Sequence, residues 1–318
     1  MSAEFRPAWW LRNPHAQTLW ASLMRRPAPL STRRERVELP DGDFLDLDWL
    51  DGGNGPLVIV LHGLEGSLQS PYASGMLAAI ARQGWRGVMM HFRGCSGEPN
   101  RLARSYHSGE TGDLRYLIHE LRAREPATKL AAVGFSLGGN ALLKYLGEDP
   151  GHACLNAAVA VSVPFELGRC AERLQRGFSR LYQWHLLRSL RRKARDKLRR
   201  FDLPVTSQSL RQCRDFRRFD DKVTAPLHGF DDVDDYYRRC SSSQFLRAIT
   251  VPTLAIQSCD DPFMTSEVIP APAELAPAVR LEITARGGHV GFISGEIPFR
   301  AVYWLEDRVP AFLHEHLD

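Results

Sequence analysis

A chain of 318 residues with 44% hydrophobic content can bury a large core, and it fits one α/β domain with a sizeable insertion better than two independent domains. The net charge of +4 is too mild to argue for nucleic acid, and six scattered cysteines with no Cys-x-x-Cys pair and no histidine cluster argue for reduced thiols over a disulfide frame or zinc site, so no metal or cofactor is expected. No stretch reaches the roughly eighteen consecutive apolar residues of a spanning helix, and the first ten residues, with Glu4, Pro7 and the pair Trp9-Trp10, do not read as a secretory signal; a cytoplasmic location is expected.

Residues 1–32 read as an aromatic arm that docks on the body, because Trp9, Trp10, Leu11, Leu19 and Trp20 call for burial. The stretches Arg33–Leu39 and Phe44–Leu50 flank the turn Pro40-Asp-Gly42 and predict a hairpin leading a sheet. Strands and helices then alternate: Leu57–His62, Tyr72–Arg82, Trp85–Phe92, Asp113–Arg124, Leu130–Phe135, Leu137–Gly147 and Ala157–Val163. That alternation predicts an α/β fold with a mainly parallel central sheet and helices on both faces. Residues 33–164 and 246–318 would form this core.

Within it, Gly134-Phe-Ser136-Leu-Gly138 matches G-x-S-x-G between an apolar strand and a helical pattern. A serine there occupies a strained turn that thrusts its hydroxyl out of the sheet, and a side chain on either glycine would collide across the turn. Outside that context five residues match by chance and the serine is a turn residue. A hydroxyl nucleophile needs a base, and the base an orienting carboxylate. Leu64, just after Gly63 in the loop His62-Gly-Leu-Glu-Gly66, and Leu137, just after the serine, would offer backbone N–H groups to an oxyanion. His62 precedes the serine and reads as a structural residue shaping that loop.

Residues 165–245 break the rhythm and read as a helical cap insertion. The first half is basic, notably Arg188-Ser-Leu-Arg-Arg-Lys-Ala-Arg-Asp-Lys-Leu-Arg-Arg200, with interspersed apolar residues. Its plain reading is a solvated helix whose arginines pair with acidic neighbours; the sharper one is peripheral membrane contact with anionic headgroups. The acidic run Phe230–Tyr237 lacks the glycine and final Glu of a Ca²⁺ loop and reads as a helix start.

Beyond the insertion, Val251–Gln257 reads as a strand running into Asp260-Asp261-Pro262, and Val279–Thr284 as the next, running into Gly287-Gly-His289. Taken singly, Asp-Asp-Pro is a turn and a lone histidine a solvated residue. In the order serine, acid, histidine they match the α/β-hydrolase triad, with His289 as base and one of the two aspartates as acid. Cys259, beside them, reads as buried filler.

These segments together resemble the YheT-like α/β-hydrolases, bacterial relatives of the mammalian ABHD lipases. The likeness covers nearly the whole chain: Asn13-Pro-His-Ala-Gln-Thr18, the His62–Gly66 loop, His91–Asn100, Tyr106–Asp113, the Gly134–Asn140 elbow, the run from Asp220 to Asp261, and Gly287–Phe292. In that family the first residue of the acidic pair varies between Asp and Asn while the second stays Asp, which implies Asp261 over Asp260 as triad acid. Arg93, with Gly94 and Gly97, reads as architecture beneath the pocket, paired with Glu110.

The function expected is a serine carboxylester hydrolase, with Ser136 as nucleophile, acting on short- to medium-chain or lipid-like esters through an acyl-enzyme. An acyltransferase with the same triad and a noncatalytic lipid-binding protein are the alternatives. The partner expected is a small-molecule ester or lipid, not nucleic acid; the oligomeric state is not legible.

Overall fold

The computed structural model describes residues 4–50, 52–53 and 55–317. Among these, the strands β1 (Thr32–Glu38), β2 (Phe44–Leu50), β3 (Leu57–Leu61), β4 (Arg86–Met90), β5 (Leu130–Phe135), β6 (Ala157–Val161), β7 (Thr253–Ser258) and β8 (Val279–Thr284) form one sheet. Their order is β1-β2-β4-β3-β5-β6-β7-β8. The hairpin β1–β2 runs antiparallel and joins β4 antiparallel; every pairing from β4 through β8 is parallel.

Composition explains the centre. Every residue of β3, β5 and β6 is buried, as parallel strands covered on both faces require. Successive side chains of β3 enter opposite cores: Leu57, Ile59 and Leu61 on one face, Val58 and Val60 on the other. Helices α2 (Pro71–Arg82) and α11 (Leu305–Leu317) cover the second face with Met76, Leu77, Ile80, Val309 and Phe312. Helices α3 (Gly112–Arg124) and α4 (Leu137–Glu148) cover the first with Leu114, Leu117, Ile118 and Leu142. The edge strand β1 carries Arg33, Arg34, Glu35 and Arg36, charges that discourage pairing with a further strand.

The N-terminal arm holds α1 (Pro14–Leu19), whose Asn13 side chain caps the N–H groups of His15 and Ala16. Leu11 is buried and Trp10 packs on Trp20 with ring centroids 4.9 Å apart. Trp9 departs from expectation: it is 58% exposed, with its indole N–H donating to the Glu296 carbonyl. One hydrogen bond at the rim satisfies its polar edge without drawing the ring inside.

Between β6 and β7 lie α5 (Leu167–Arg173), α6 (Ser179–Leu198), α7 (Ser207–Gln212), α8 (Phe216–Phe219), α9 (Ala225–His228) and α10 (Val233–Cys240). They share a core of their own, including Leu187, Phe216, Phe219, Tyr236 and Tyr237, against which Leu64 and Phe263 pack from the sheet's loops. The acidic run starts α10: Asp232 caps the Asp235 N–H, and Asp234 and Asp235 occupy the first turn, where the helix dipole favours negative charge. Pairing along basic α6 is sparser than the solvated-helix reading expects. Lys193 pairs with Glu65 and Arg199 with Asp196, whereas Arg188, Arg192 and Arg195 have no carboxylate partner among the described residues. The acidic run on α10 is taken up by other arginines: Asp234 pairs with Arg217, and Asp235 with Arg238 and Arg239.

Candidate active site

Ser136 sits between β5 and α4 with φ 50° and ψ −117°, a backbone conformation costing a residue with a side chain about 1–3 kcal/mol. Its N–H is held by the Val161 carbonyl at 2.8 Å. The turn closes tightly: a Cβ on Gly138 would lie 2.6 Å from the His62 carbonyl oxygen, so glycine is obligatory there.

Across the sheet's carboxyl edge, the loop after β8 brings His289 Nε2 to 3.0 Å from Ser136 Oγ, and His289 Nδ1 to 2.8 Å from Asp261 Oδ2. Asp261 Oδ1 accepts the Phe263 N–H at 2.8 Å, and its carboxylate is buried. An acceptor on the Nδ1 side places the ring proton on Nδ1 and leaves Nε2 to accept from the serine. The Phe263 ring stacks on the imidazole at 3.9 Å and 3°, fixing its plane. Asp260 faces elsewhere: Oδ1 accepts the Gly288 N–H at 2.9 Å, bracing the loop and not the imidazole.

The N-terminal arm completes this support. Thr18 Oγ1 accepts the His289 N–H at 2.9 Å, and the Gln17 side chain both donates to the Ile293 carbonyl and accepts its N–H. Helix α1 lies directly on the loop, since a Cβ on Gly288 would stand 2.6 Å from the Pro14 carbonyl oxygen. The apolar residues of the arm predict burial, and its part in holding the histidine loop is not among the expectations above. The Asn-Pro-His-Ala-Gln-Thr run held the signal, in two polar side chains on a short helix otherwise suited to packing.

The Leu64 loop lies beside the serine: a Cβ on Gly63 would sit 3.2 Å from Ser136 Cβ. His62 is fully buried, donates from Nδ1 to the Gly63 carbonyl at 2.7 Å and accepts the Phe92 N–H at Nε2. Burial pushes its imidazole down to about 3, so it stays neutral and shapes the loop. Glu65, which sequence reading passed over, has φ 58°. Its N–H donates to Tyr106 Oη, and its carboxylate accepts from Tyr106, Ser189 and Lys193 at 3.0, 2.5 and 2.8 Å. Two of these donors belong to α6, so the residue following Leu64 is tied to the insertion.

A cavity of about 550 Å³ reaches both Leu64 and Leu137, beside the serine, and runs beneath the insertion between apolar residues such as Leu190 and Phe216 and charged ones such as Arg93, Lys193 and Lys197. Other expectations are corrected. Arg93 is buried and pairs with Asp113, Asp41 and Asp43 instead of Glu110, which pairs with Arg104. The start of α3 and the β1–β2 turn offer carboxylates nearer the guanidinium. Cys259 is exposed, one residue past the end of β7 at Ser258 and not the buried filler expected.

Residues 56–296 match the family described as alpha/beta hydrolase fold. The esterase YheT of Escherichia coli (strain K12), an activity assigned to it provisionally by name, is 46% identical over all of this chain and 95% of its own. The human phospholipase ABHD3 is 31% identical over 96% of this chain and 77% of its own. Among solved structures, the Pyrococcus furiosus esterase Pf2001 shares the fold with a TM-score of 0.58 at 16% identity, covering 91% of this chain and 94% of its own. The chain belongs to the alpha/beta hydrolase family and, within it, to the YheT-like branch of esterase- and lipase-like hydrolases. No helix among the described residues is long and apolar enough to cross a membrane.

Proposed function

We propose that the protein hydrolyses carboxylic esters through Ser136, His289 and Asp261 and an acyl-enzyme. The observation carrying this reading is the continuous relay of 3.0 Å and 2.8 Å from hydroxyl to imidazole to carboxylate. His289 takes the serine proton as Oγ attacks the ester carbonyl, and Asp261 holds the tautomer and stabilises the imidazolium. The Leu64 and Leu137 N–H groups would receive the developing oxyanion. The imidazolium then protonates the leaving alkoxide, and a water, deprotonated in turn, releases the acid and regenerates the serine.

Residues 165–245 act in this reading as a cap over a cavity of mixed lining, with Leu190, Phe216 and Val223 beside Arg192, Lys193 and Lys197. A volume of about 550 Å³ lies within the usual range for small-molecule sites. The substrates we propose are short- to medium-chain or lipid-like esters, in keeping with the names of the esterase and phospholipase relatives. Labelling by a fluorophosphonate probe tests the reading, since only an activated serine reacts; an unlabelled folded protein would refute it.

Two supporting contacts give graded predictions. Thr18→Val leaves the His289 N–H without its acceptor, a loss of about 1–3 kcal/mol locally. Turnover of p-nitrophenyl butyrate should fall about tenfold in kcat with KM little changed. Glu65→Gln removes the charge facing Lys193 beside the Leu64 donor, and a comparable fall in kcat is expected, together with a lower Tm. Steady-state kinetics and thermal melts check both.

A further inference from the structure

Helix α6 has a face the hydrolytic reading leaves unused. Leu181, Trp184, Arg188, Arg192, Arg195 and Arg199 recur at three- and four-residue spacing, forming one stripe along the helix, and all are exposed. Its N-terminal end carries an apolar group among Arg180 and His185: Phe178, Leu181 and Trp184 are 46%, 54% and 60% exposed. Scattered exposed apolar residues need no explanation, but an aromatic and aliphatic end continuing into four aligned arginines is an ordered segregation.

Three of the four arginine charges are available. Lys193 is taken up by Glu65, Lys197 by backbone carbonyls of residues 102–104, and Arg199 by Asp196. Arg188 lies over the Trp184 ring, 5.7 Å from its centroid, and neither it nor Arg192 nor Arg195 meets a carboxylate among the described residues. The stripe also borders the site. Arg192 lines the cavity, and Tyr182, one position beyond Leu181, packs 4.9 Å from Phe263, the ring stacked on His289.

We propose that this stripe seats the protein on an anionic lipid surface. The arginines engage headgroup phosphates, and Phe178, Leu181 and Trp184 enter the interfacial layer. Seated in this way, the cavity wall at Arg192 meets lipid directly. A nucleic-acid duplex would engage the arginines and leave the apolar end in water. The seating itself does not require the serine chemistry; only the delivery of substrate rests on the proposed function.

The test is co-sedimentation of the full chain with vesicles of phosphatidylcholine alone and of phosphatidylcholine with phosphatidylglycerol. Binding is expected to the second only and to weaken with added salt. Arg188→Glu with Arg195→Glu should weaken it roughly tenfold or more, and Trp184→Ala several-fold. Neither substitution touches the triad, so hydrolysis of soluble p-nitrophenyl acetate and the melting temperature should stay unchanged. Ser136→Ala should sediment like the parent, which separates failure of the seating from failure of the ester chemistry. Absence of binding to anionic vesicles, binding indifferent to both substitutions, or equal capture by a short DNA duplex would overturn the proposal.

Discussion

Replacing Ser136 with alanine is expected to lower kcat for p-nitrophenyl esters by about four to six orders of magnitude and to abolish fluorophosphonate labelling. Four orders correspond to about 5.5 kcal/mol of transition-state stabilisation. The remaining rate would come from the Leu64 and Leu137 donors and from binding alone, because removing the nucleophile leaves them in place. Loss of the hydroxyl frees only the 3.0 Å contact to His289, so the fold should persist. Ser136→Gly adds a second readout. At φ 50° and ψ −117° the serine is strained, and glycine relieves that strain at a smaller entropic cost, so this variant should be equally inactive yet more stable by about 1 kcal/mol. A melt and an activity assay on the two variants separate chemistry from folding. Substantial turnover by Ser136→Ala would end the proposed mechanism.

The contrast between local and distant contacts explains what the sequence made legible. The central strands announced themselves because burial on both faces demands uninterrupted apolar runs such as Leu57–Leu61. The elbow was legible because glycine at 138 answers a steric need set within a few residues and by one neighbouring loop. Order along the chain anticipated the meeting of Ser136, Asp261 and His289, since loops at the carboxyl ends of parallel strands converge on one edge. The supporting contacts join residues far apart with no shared pattern. Thr18 reaches His289 across 271 positions, and Ser189 and Lys193 reach Glu65 across 124 and 128. Nothing in the spacing of α6 says which of its cations turns toward Glu65, because that depends on how the insertion lies over the cavity. Cys259 shows the same limit at short range: one residue past a strand end, exposure is set by the covering layer, which local composition does not reveal.

The two adjacent aspartates supply the second large effect, and geometry assigns them opposite outcomes. Asp261→Asn keeps the shape but presents an amide to His289 Nδ1, where a carboxylate now accepts at 2.8 Å. If the amide N–H₂ turns toward the ring, the proton moves to Nε2, and the imidazole can no longer accept from Ser136. If the amide oxygen turns inward, the imidazolium still loses its counter-charge. Either way kcat should fall by about three to four orders of magnitude, with KM little altered. Asp260→Asn keeps an acceptor oxygen for the Gly288 N–H, and its removed charge faces loop backbone and not the imidazole. Burial already raises the pKa of that carboxyl, so neutralising it carries little penalty. Its kcat should stay within about threefold of the parent. Steady-state kinetics on the pair, with Tm as a control, decide the assignment: an inactive Asp260→Asn beside an active Asp261→Asn would exchange their roles and require the loop after β7 to rearrange before catalysis.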